Sequence, residues 1–515
     1  MASSRKTSST AIVAAIILGL FFLPSEGQAE RKFFPASENG VPGRYSVALM
    51  LGQTASAAPE LVGSVGGRLR HIYRHIFDGF EADLTEHQAE RLSRHPWVKS
   101  VAQERYLENP LSYTLPHCYE GFDTNTRTLP ELPGPGNPVP QQSLACADPA
   151  PGGDCIDNWG IDRVDQYGLP RDETFSYRQA AGLVRVYVID TGVFAANREF
   201  DNASLNTRVD DGIDAQCSNF PFCLDGNVPC SDDPRLDKGH GTHVAAILGG
   251  RTFGLARDVE IWPIKALCHT YTTGEIKQAF EFLLNLHPDT DPTAVVNLSG
   301  VNGQPACDYD PNNPNCDHQL LDAVINVASR NNLLLVQSSG NQSGSDACNR
   351  TFGDEDRYSN PAHSAAIARI IVAAGSDEND ARWRSELGEF GHPIGSTIGE
   401  CVDIFAPAAH VASGFYLDDD PTSDEIVCQL SGTSMAAPHV SGVAAMILHD
   451  YPALNAEQLR TMILNWAERD VLESNPNDPN YIGSGSPNLL LHWDPSNLLR
   501  DGFETGDLRL WYVSP

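Results

Sequence analysis

Three side chains at well-separated places in this 515-residue chain could together break an acyl bond: the carboxylate of Asp190, the imidazole of His240 and the hydroxyl of Ser434. Asp190 directly follows the apolar run VRVYVI, in VIDTGV. An Asp at such a place also serves as an ordinary turn former or helix cap. His240 stands in GHGTHVAAILGG, where Gly239 and Gly241 allow close backbone approach and an apolar helix follows at once. An imidazole titrates near neutrality and suits a general base, and a buried carboxylate can fix its tautomer. His243, one helical turn on, makes a His-x-x-His metal pair the rival, although no carboxylate follows in the HExxH manner. Ser434 stands in SGTSMAAPHVSGVAAMIL, at the mouth of an almost wholly apolar helix. Its backbone N–H is free there, and the positive end of the helix dipole favours developing negative charge. A plain N-cap is the simpler role, but it leaves the other two motifs unexplained. Asn341, in LLLVQSSGNQSG, could donate its amide to an oxyanion. Asn-x-Ser/Thr also reads as a glycosylation sequon, as it does at Asn202, Asn297 and Asn349, and the position after a strand favours the donor role.

These residues need elements to hold them. Leu183 to Ile189, Val259 to Ile264, Ala294 to Leu298, Leu333 to Val336 and Ile367 to Ala373 are short apolar runs that read as buried parallel strands. Helical periodicity fills the intervals at Glu275 to His287 and Leu320 to Arg330, so strand and helix alternate as in an α/β, doubly wound, mostly parallel sheet. In such a sheet function gathers at the carboxyl ends of strands. The domain built this way is expected over residues 158–493.

A smaller α+β unit is expected over 44–106, with strands at Tyr45 to Met50, Ile72 to Leu84 and Val98 to Gln103. A helix near Pro59 to Leu69 and a second opened by a Thr85/Gln88 capping box give a βαββαβ order. Between the units, 107–157 is a linker or insert rich in Pro and Gly, with GPGNP as its clearest mark. The N-terminus carries Arg5 and Lys6, an apolar run from Ala11 to Leu23 and small residues at Gly27-Gln28-Ala29. That is a signal-peptide pattern over 1–29, too short in its apolar part to span a bilayer. Twelve cysteines, an even number, suit disulfides in an oxidising, extracellular place. Cys217, Cys223 and Cys230 could instead suggest zinc, but paired CxxC spacing is lacking. The net charge of −32 argues against nucleic acid or an anionic membrane as the main partner. Residues 494–515 read as a short, frayed tail.

VIDTGV, GHGTHVA and GTSMAAPHV, in that order, resemble the three active-site signatures of the subtilisin-like serine proteases. FDGFEADL and HPWVKSV resemble that family's inhibitory propeptide. NWGIDRVDQ, LLLVQSSGNQ, GECVDIFAPA and TFGLARDVEIWPIKAL look most like the proteinase K and aqualysin branch. The resemblance implies a secreted, monomeric serine endopeptidase acting on proteins and peptides, made as a zymogen that its own active site matures. In it Asp190, His240 and Ser434 are the triad, Asn341 helps the Ser434 N–H hold the oxyanion, and no catalytic cofactor is needed. A substrate cleft is implied between Leu298-Ser299-Gly300 and Ser338-Ser339-Gly340. Structural Ca2+ is implied twice: at Asp162, Asp165, Gln166, Asp172 and Thr174, and more loosely at Asp403 with the carbonyls of Ala368 and Ile370. A Cys348–Cys401 disulfide is implied as well, and Cys307 with Cys316 is suggested by proximity. The 109–157 insert, the Cys217–Cys230 segment and the acidic Asp418–Glu425 stretch depart from the family. A non-catalytic binding protein that keeps its propeptide is the alternative of a different class.

Overall fold

The computed structural model describes residues 31–107, 157–172, 174–177, 184–201, 206–215, 239–268, 271–300, 318–349, 351, 368–385, 394–416, 427–478 and 481–493, with short strands at His117–Tyr119 and Val139–Pro140. The expected signal peptide, most of the insert, the Cys217–Cys230 segment, Cys307, Cys316, the Asp418–Glu425 stretch, Asn202 and the tail lie outside the described residues.

Among the described residues nine strands form the central sheet. Their order is Ile213–Asp214, Glu260–Lys265, Arg185–Asp190, Ala294–Leu298, Leu333–Ser338, Ile370–Ser376, Ile404–Pro407, Leu489–Leu490, Glu468–Arg469. Every neighbouring pair is parallel except the last. The apolar runs become strands because period-two alternation sends β-branched and aliphatic residues to both faces. Val186, Val188, Val295, Leu334 and Val336 pack with the helices His240–Gly249 and Thr433–Asp450. Tyr187, Ile189, Val296, Leu298 and Leu335 pack on the other side with Thr273–Leu286 and His318–Ala328. The chain leaves Arg185–Asp190 for a neighbour on one side, Glu260–Lys265, and the next strand, Ala294–Leu298, lies on its other side. Asp190 therefore ends a strand at a topological switch point, where an open α/β sheet leaves a crevice. Cys348 and Cys401 are joined as a disulfide with Cα atoms 5.0 Å apart.

The N-terminal unit is a five-stranded sheet of Phe33–Phe34, Val98–Arg105, Gly40–Leu49, Gly79–Asp83 and Arg68–Tyr73, with helices Ala58–Val65 and Glu86–Ser93. The Thr85/Gln88 capping box is formed. The stretch Ile72 to Leu84 is a hairpin, Arg68–Tyr73 against Gly79–Asp83. The first helix ends at Val65 because Gly66 turns left-handed at φ 78°, so Arg68 and Leu69 join the strand. This unit sits on the Thr273–Leu286 and His318–Ala328 helices. Glu281 accepts the backbone N–H groups of Arg74, His75 and Ile76 at 2.8, 2.9 and 3.1 Å, which is where the hairpin breaks. Lys277 and Glu104 form a fully buried ion pair at 2.9 Å, and Arg44 reaches Glu275 at 2.9 Å. Tyr73, Ile76 and Leu107 of the small unit are part of the larger domain's core.

Candidate active site

Asp190 is fully buried at the end of its strand and accepts two hydrogen bonds on Oδ1, from His240 Nδ1 and from the Thr191 N–H, both at 2.7 Å. With Nδ1 donating to a carboxylate, the neutral ring presents a bare Nε2, the state a general base needs. His240 is the first residue of its helix, and the packing leaves no room for a side chain beside it. A Cβ on Gly241 would stand 2.3 Å from the Gly192 carbonyl and 3.1 Å from Asp190 Cβ, and one on Gly239 would run into the Phe415 ring. These two glycines let the His240 helix close onto the strand end.

His243 has a different place. Its Nε2 lies 3.1 Å from the Val411 carbonyl and 3.0 Å from that of Cys428. Full burial pushes its pKa down to about 3, so it is a neutral packing residue. A His240–His243 metal pair finds no support, since His240 Nδ1 is taken by Asp190 and His243 Nε2 by two backbone carbonyls.

Ser434 lies in the first turn of the Thr433–Asp450 helix, 3 % exposed, and donates its hydroxyl to the Ser299 carbonyl at 3.2 Å. Asn341 follows the Leu333–Ser338 strand. Its Oδ1 accepts from both the N–H and the hydroxyl of Thr433 at 2.9 Å, and its Nδ2 faces Gly432, where a Cβ would stand 3.3 Å away. The carbonyl end of Asn341 is thus spent on the residue preceding Ser434, which turns the amide donors towards the helix mouth. Thr433 was not singled out in the sequence. Its signal was present as the Thr of GTS, and its hydroxyl also accepts the Gly340 N–H at 3.0 Å.

The segments Leu298-Ser299-Gly300 and Ser338-Ser339-Gly340 end neighbouring parallel strands, tied by Gln337 Nε2 to the Gly300 carbonyl at 3.3 Å. Sequence reasoning also missed the loop after the Glu260–Lys265 strand. Tyr106 pairs with Thr272 in an antiparallel bridge, and the Leu107 N–H donates to the Tyr271 carbonyl at 3.1 Å. The same loop begins against Asp190, whose backbone carbonyl accepts the N–H groups of Ala266 and Leu267. The end of the small N-terminal unit therefore lies antiparallel against the loop that leaves the carboxyl end of the Glu260–Lys265 strand, held by one bridge and one hydrogen bond.

The two expected calcium loops differ. In the first, Gln166 Oε1 accepts the Asp172 N–H at 2.7 Å, and Asp172 Oδ1 accepts the N–H and hydroxyl of Thr174 at 2.9 and 2.6 Å. Asp162 is buried at the base of the loop, 3.7 Å from Arg171. Arg171 pairs with Asp157 at 2.7 Å and stands beside Asp162, and the three carboxylates of this loop do not converge as they stand. At the second, the residues do not fit a metal ion. Arg460 donates from Nε to the Ile370 carbonyl at 2.7 Å and from Nη2 to Asp403 Oδ1 at 2.5 Å, while Asp403 Oδ2 accepts the Val372 N–H at 2.8 Å. A guanidinium already stands between the two oxygens expected to bind calcium, and Ala368 is left outside that contact.

Residues 183–485 match the model of the Subtilase family, and residues 45–109 match that of the peptidase inhibitor I9. An extracellular serine proteinase of Thermus sp. is 28 % identical over 336 residues, 65 % of this chain and 65 % of its own length. Proteinase R of Parengyodontium album is 25 % identical over 449 residues, covering 84 % of this chain and 89 % of that one. An alkaline serine exoprotease A of Vibrio alginolyticus is 26 % identical over 414 residues, with 60 % of its length covered. Some of the relatives thus extend well beyond the part that this chain matches. Among solved structures, fervidolysin from Fervidobacterium pennivorans, a keratinolytic enzyme related to subtilisin, superposes with a TM-score of 0.55 at 16 % identity. That match covers 90 % of this chain and 62 % of fervidolysin, and it speaks for the fold.

Proposed function

Because this chain belongs to the Subtilase family, we propose that it is a secreted serine endopeptidase, made as a zymogen that cleaves its own propeptide. His240 Nε2 takes the proton of Ser434 as its oxygen attacks the scissile carbonyl, and later delivers it to the leaving amine. Asp190 holds the ring through Nδ1 and stabilises its charged form. The Ser434 N–H at the helix mouth and the Asn341 amide receive the oxyanion. Leu298–Gly300 and Ser338–Gly340 border the cleft for a protein or peptide substrate. Residues 44–106 act as the intramolecular inhibitor, released after a cut in the 107–157 segment, and the mature enzyme works as a monomer without nucleic acid, membrane or catalytic cofactor. Structural Ca2+ belongs to the loop of Asp162, Asp165, Gln166, Asp172 and Thr174, where it would balance the carboxylates and stiffen the loop.

The observation that carries this reading is the buried 2.7 Å Asp190–His240 pair at a strand end, with Tyr106, at the end of the N-terminal unit, bridged to Thr272 in the loop that starts against Asp190. Reaction of the secreted protein with a fluorophosphonate, followed by peptide mapping, tests it. The label is expected on Ser434, and Ser434→Ala is expected to accumulate as unlabelled precursor. Normal maturation of Ser434→Ala would remove self-processing, and absence of label from the mature wild type would remove the triad.

A further inference from the structure

The helix that begins at Thr433 contains Pro438, four residues after Ser434. Proline has no N–H to meet the carbonyl one turn back, and its ring crowds that oxygen. The Ser434 carbonyl must therefore find a partner outside its own helix, since a buried, unmet carbonyl is costly. The partner is the Ser299 hydroxyl, which donates to the Ser434 carbonyl at 2.9 Å. Ser299 Oγ in turn accepts from Asn297 Nδ2 at 3.0 Å, and Asn297 Oδ1 accepts from the Ser441 hydroxyl at 2.9 Å. Ser441, Asn297 and Ser299 are all fully buried.

The direction of every bond in this chain is set by its end. The Ser434 carbonyl can only accept, so Ser299 spends its proton there. Asn297 must then offer N–H to Ser299 and its oxygen to Ser441, which fixes the amide's orientation. Donors run one way, Ser441 to Asn297 to Ser299 to Ser434, an arrangement in which each bond polarises the next. The chain also closes a bracket. Ser441 is on the same helix as Ser434, two turns on, while Asn297 and Ser299 belong to the end of the Ala294–Leu298 strand beneath it. Asn297 faces that helix from the side of the sheet where Val295 packs into an otherwise apolar layer. An apolar layer can slide by fractions of an ångström at little cost, whereas a directed hydrogen-bond chain sets one register. The full burial of Asn297 also removes it as a glycosylation acceptor.

We propose that Asn297 and Ser441 are positioning residues for Ser434: through Ser299 they hold the Ser434 backbone, and with it Oγ and the N–H, at one depth relative to the strand end. The inference rests on Ser434 being the nucleophile. Without the Ser441 hydroxyl, the Asn297 oxygen is a buried acceptor with no donor from the helix. The Ala294–Leu298 strand end and the helix are then tied through Ser299 alone, and the helix mouth loosens.

The test compares wild type, Ser441→Ala, Ser441→Thr and Asn297→Val, all as mature enzyme with active sites counted by fluorophosphonate titration. Asn297→Val puts a good strand former into a strand and covers the case in which Ser441→Ala folds poorly. Ser441→Ala and Asn297→Val are expected to lose about tenfold in kcat and in the bimolecular rate of Ser434 labelling per active site, the scale of one hydrogen bond. KM should stay within about twofold, as expected for a contact that acts on the nucleophile rather than on substrate binding. Ser441→Thr, which keeps the hydroxyl, should label at close to the wild-type rate. A merely structural role would lower the melting temperature and the titrated fraction while leaving the rate per site unchanged. Per-site rates within twofold of wild type in both Ser441→Ala and Asn297→Val would overturn the proposal while Ser434 still labels. A wild type that does not label at Ser434 would overturn the triad and this proposal with it.

Discussion

Replacing Arg460 by Ala should turn a calcium-independent corner of this fold into a calcium-dependent one. The guanidinium donates to the Ile370 carbonyl and to Asp403, both at the amino ends of interior strands of the central sheet, and the Arg460 and Asp403 side chains are 22 % and 20 % exposed. A hydrogen bond to a charged group contributes about 1.5–3 kcal/mol when protected, and a partly exposed ion pair contributes less. Losing both contacts should therefore cost about 2 kcal/mol. In a domain of this size, at about 2.1 cal/mol/K of unfolding entropy per residue, that corresponds to a melting temperature lower by about 3 °C. What the substitution leaves behind is a carboxylate that still accepts the Val372 N–H, beside a backbone carbonyl, with a guanidinium-sized space between them. Calcium takes oxygen ligands of these kinds, and binding to the native state at 100 times Kd would return about 2.7 kcal/mol.

The assay is a melting curve for wild type, Arg460→Ala and Arg460→Ala/Asp403→Asn, each in chelator and across a calcium titration. Arg460→Ala is expected to melt lowest in chelator and to gain more from calcium than wild type does, by roughly the amount it lost. The added Asp403→Asn should abolish that extra gain. The wild-type response, whatever its size, is the baseline against which that extra gain is read. The reasoning fails if Arg460→Ala melts with the wild type in chelator, or if calcium raises both by the same amount.

Two further outcomes are expected. Asn341→Ala should lower kcat by about 10²–10³ with KM little changed, a magnitude carried over from the loss of one oxyanion donor in subtilisin; a loss confined to KM would place Asn341 in substrate binding instead. Burial holds the pKa of His243 at about 3 and that of His439 at about 4, both below the ordinary histidine value. Their contribution to stability is then complete above about pH 6.5 and is lost as the pH falls towards 4 and below. His243→Gln should accordingly give a flatter decline of melting temperature between pH 6.5 and 4 than wild type, and identical slopes would refute that origin.

The sheet was legible because its strands are buried on both faces, and such strands read as unbroken apolar runs. Ala294–Leu298 has the bounds expected of it, and the other four strands are displaced by at most three residues at either end. Boundaries slipped where the deciding contact is distant. Leu69 reads as helix by periodicity, but Gly66 stops the helix and the hairpin partner Ala82 claims Leu69. Asp190, His240, Ser434 and Asn341 were legible because glycines and strand ends announce them locally. The second calcium site was misread for the opposite reason. Asp403 and the Ile370 carbonyl were visible in the chain, but the guanidinium that fills the gap comes from a helix 57 positions further on. No local pattern tells an Arg on a half-exposed helix face that it will replace a metal ion.

The same distinction explains how the helix mouth is built. The Asp190–His240 pair needs one strand end and one helix start, and Gly241 lets them touch. Ser434 comes from a helix that starts almost 200 positions after His240, so nothing near it in sequence can fix it against His240. Two neighbouring strand ends do so instead. The Leu333–Ser338 strand sends Asn341 and the Gly340 N–H to Thr433, and the Ala294–Leu298 strand sends Ser299 to the Ser434 carbonyl. Those strands are hydrogen-bonded to each other along their whole shared length, which makes them one rigid anvil beneath the helix. Pro438 is what makes the second attachment necessary, because with any other residue there the Ser434 carbonyl could bond within its own helix. The proline thus exchanges a bond along the helix for one to the sheet, and in doing so it places the proposed nucleophile in the same rigid frame as its oxyanion donor.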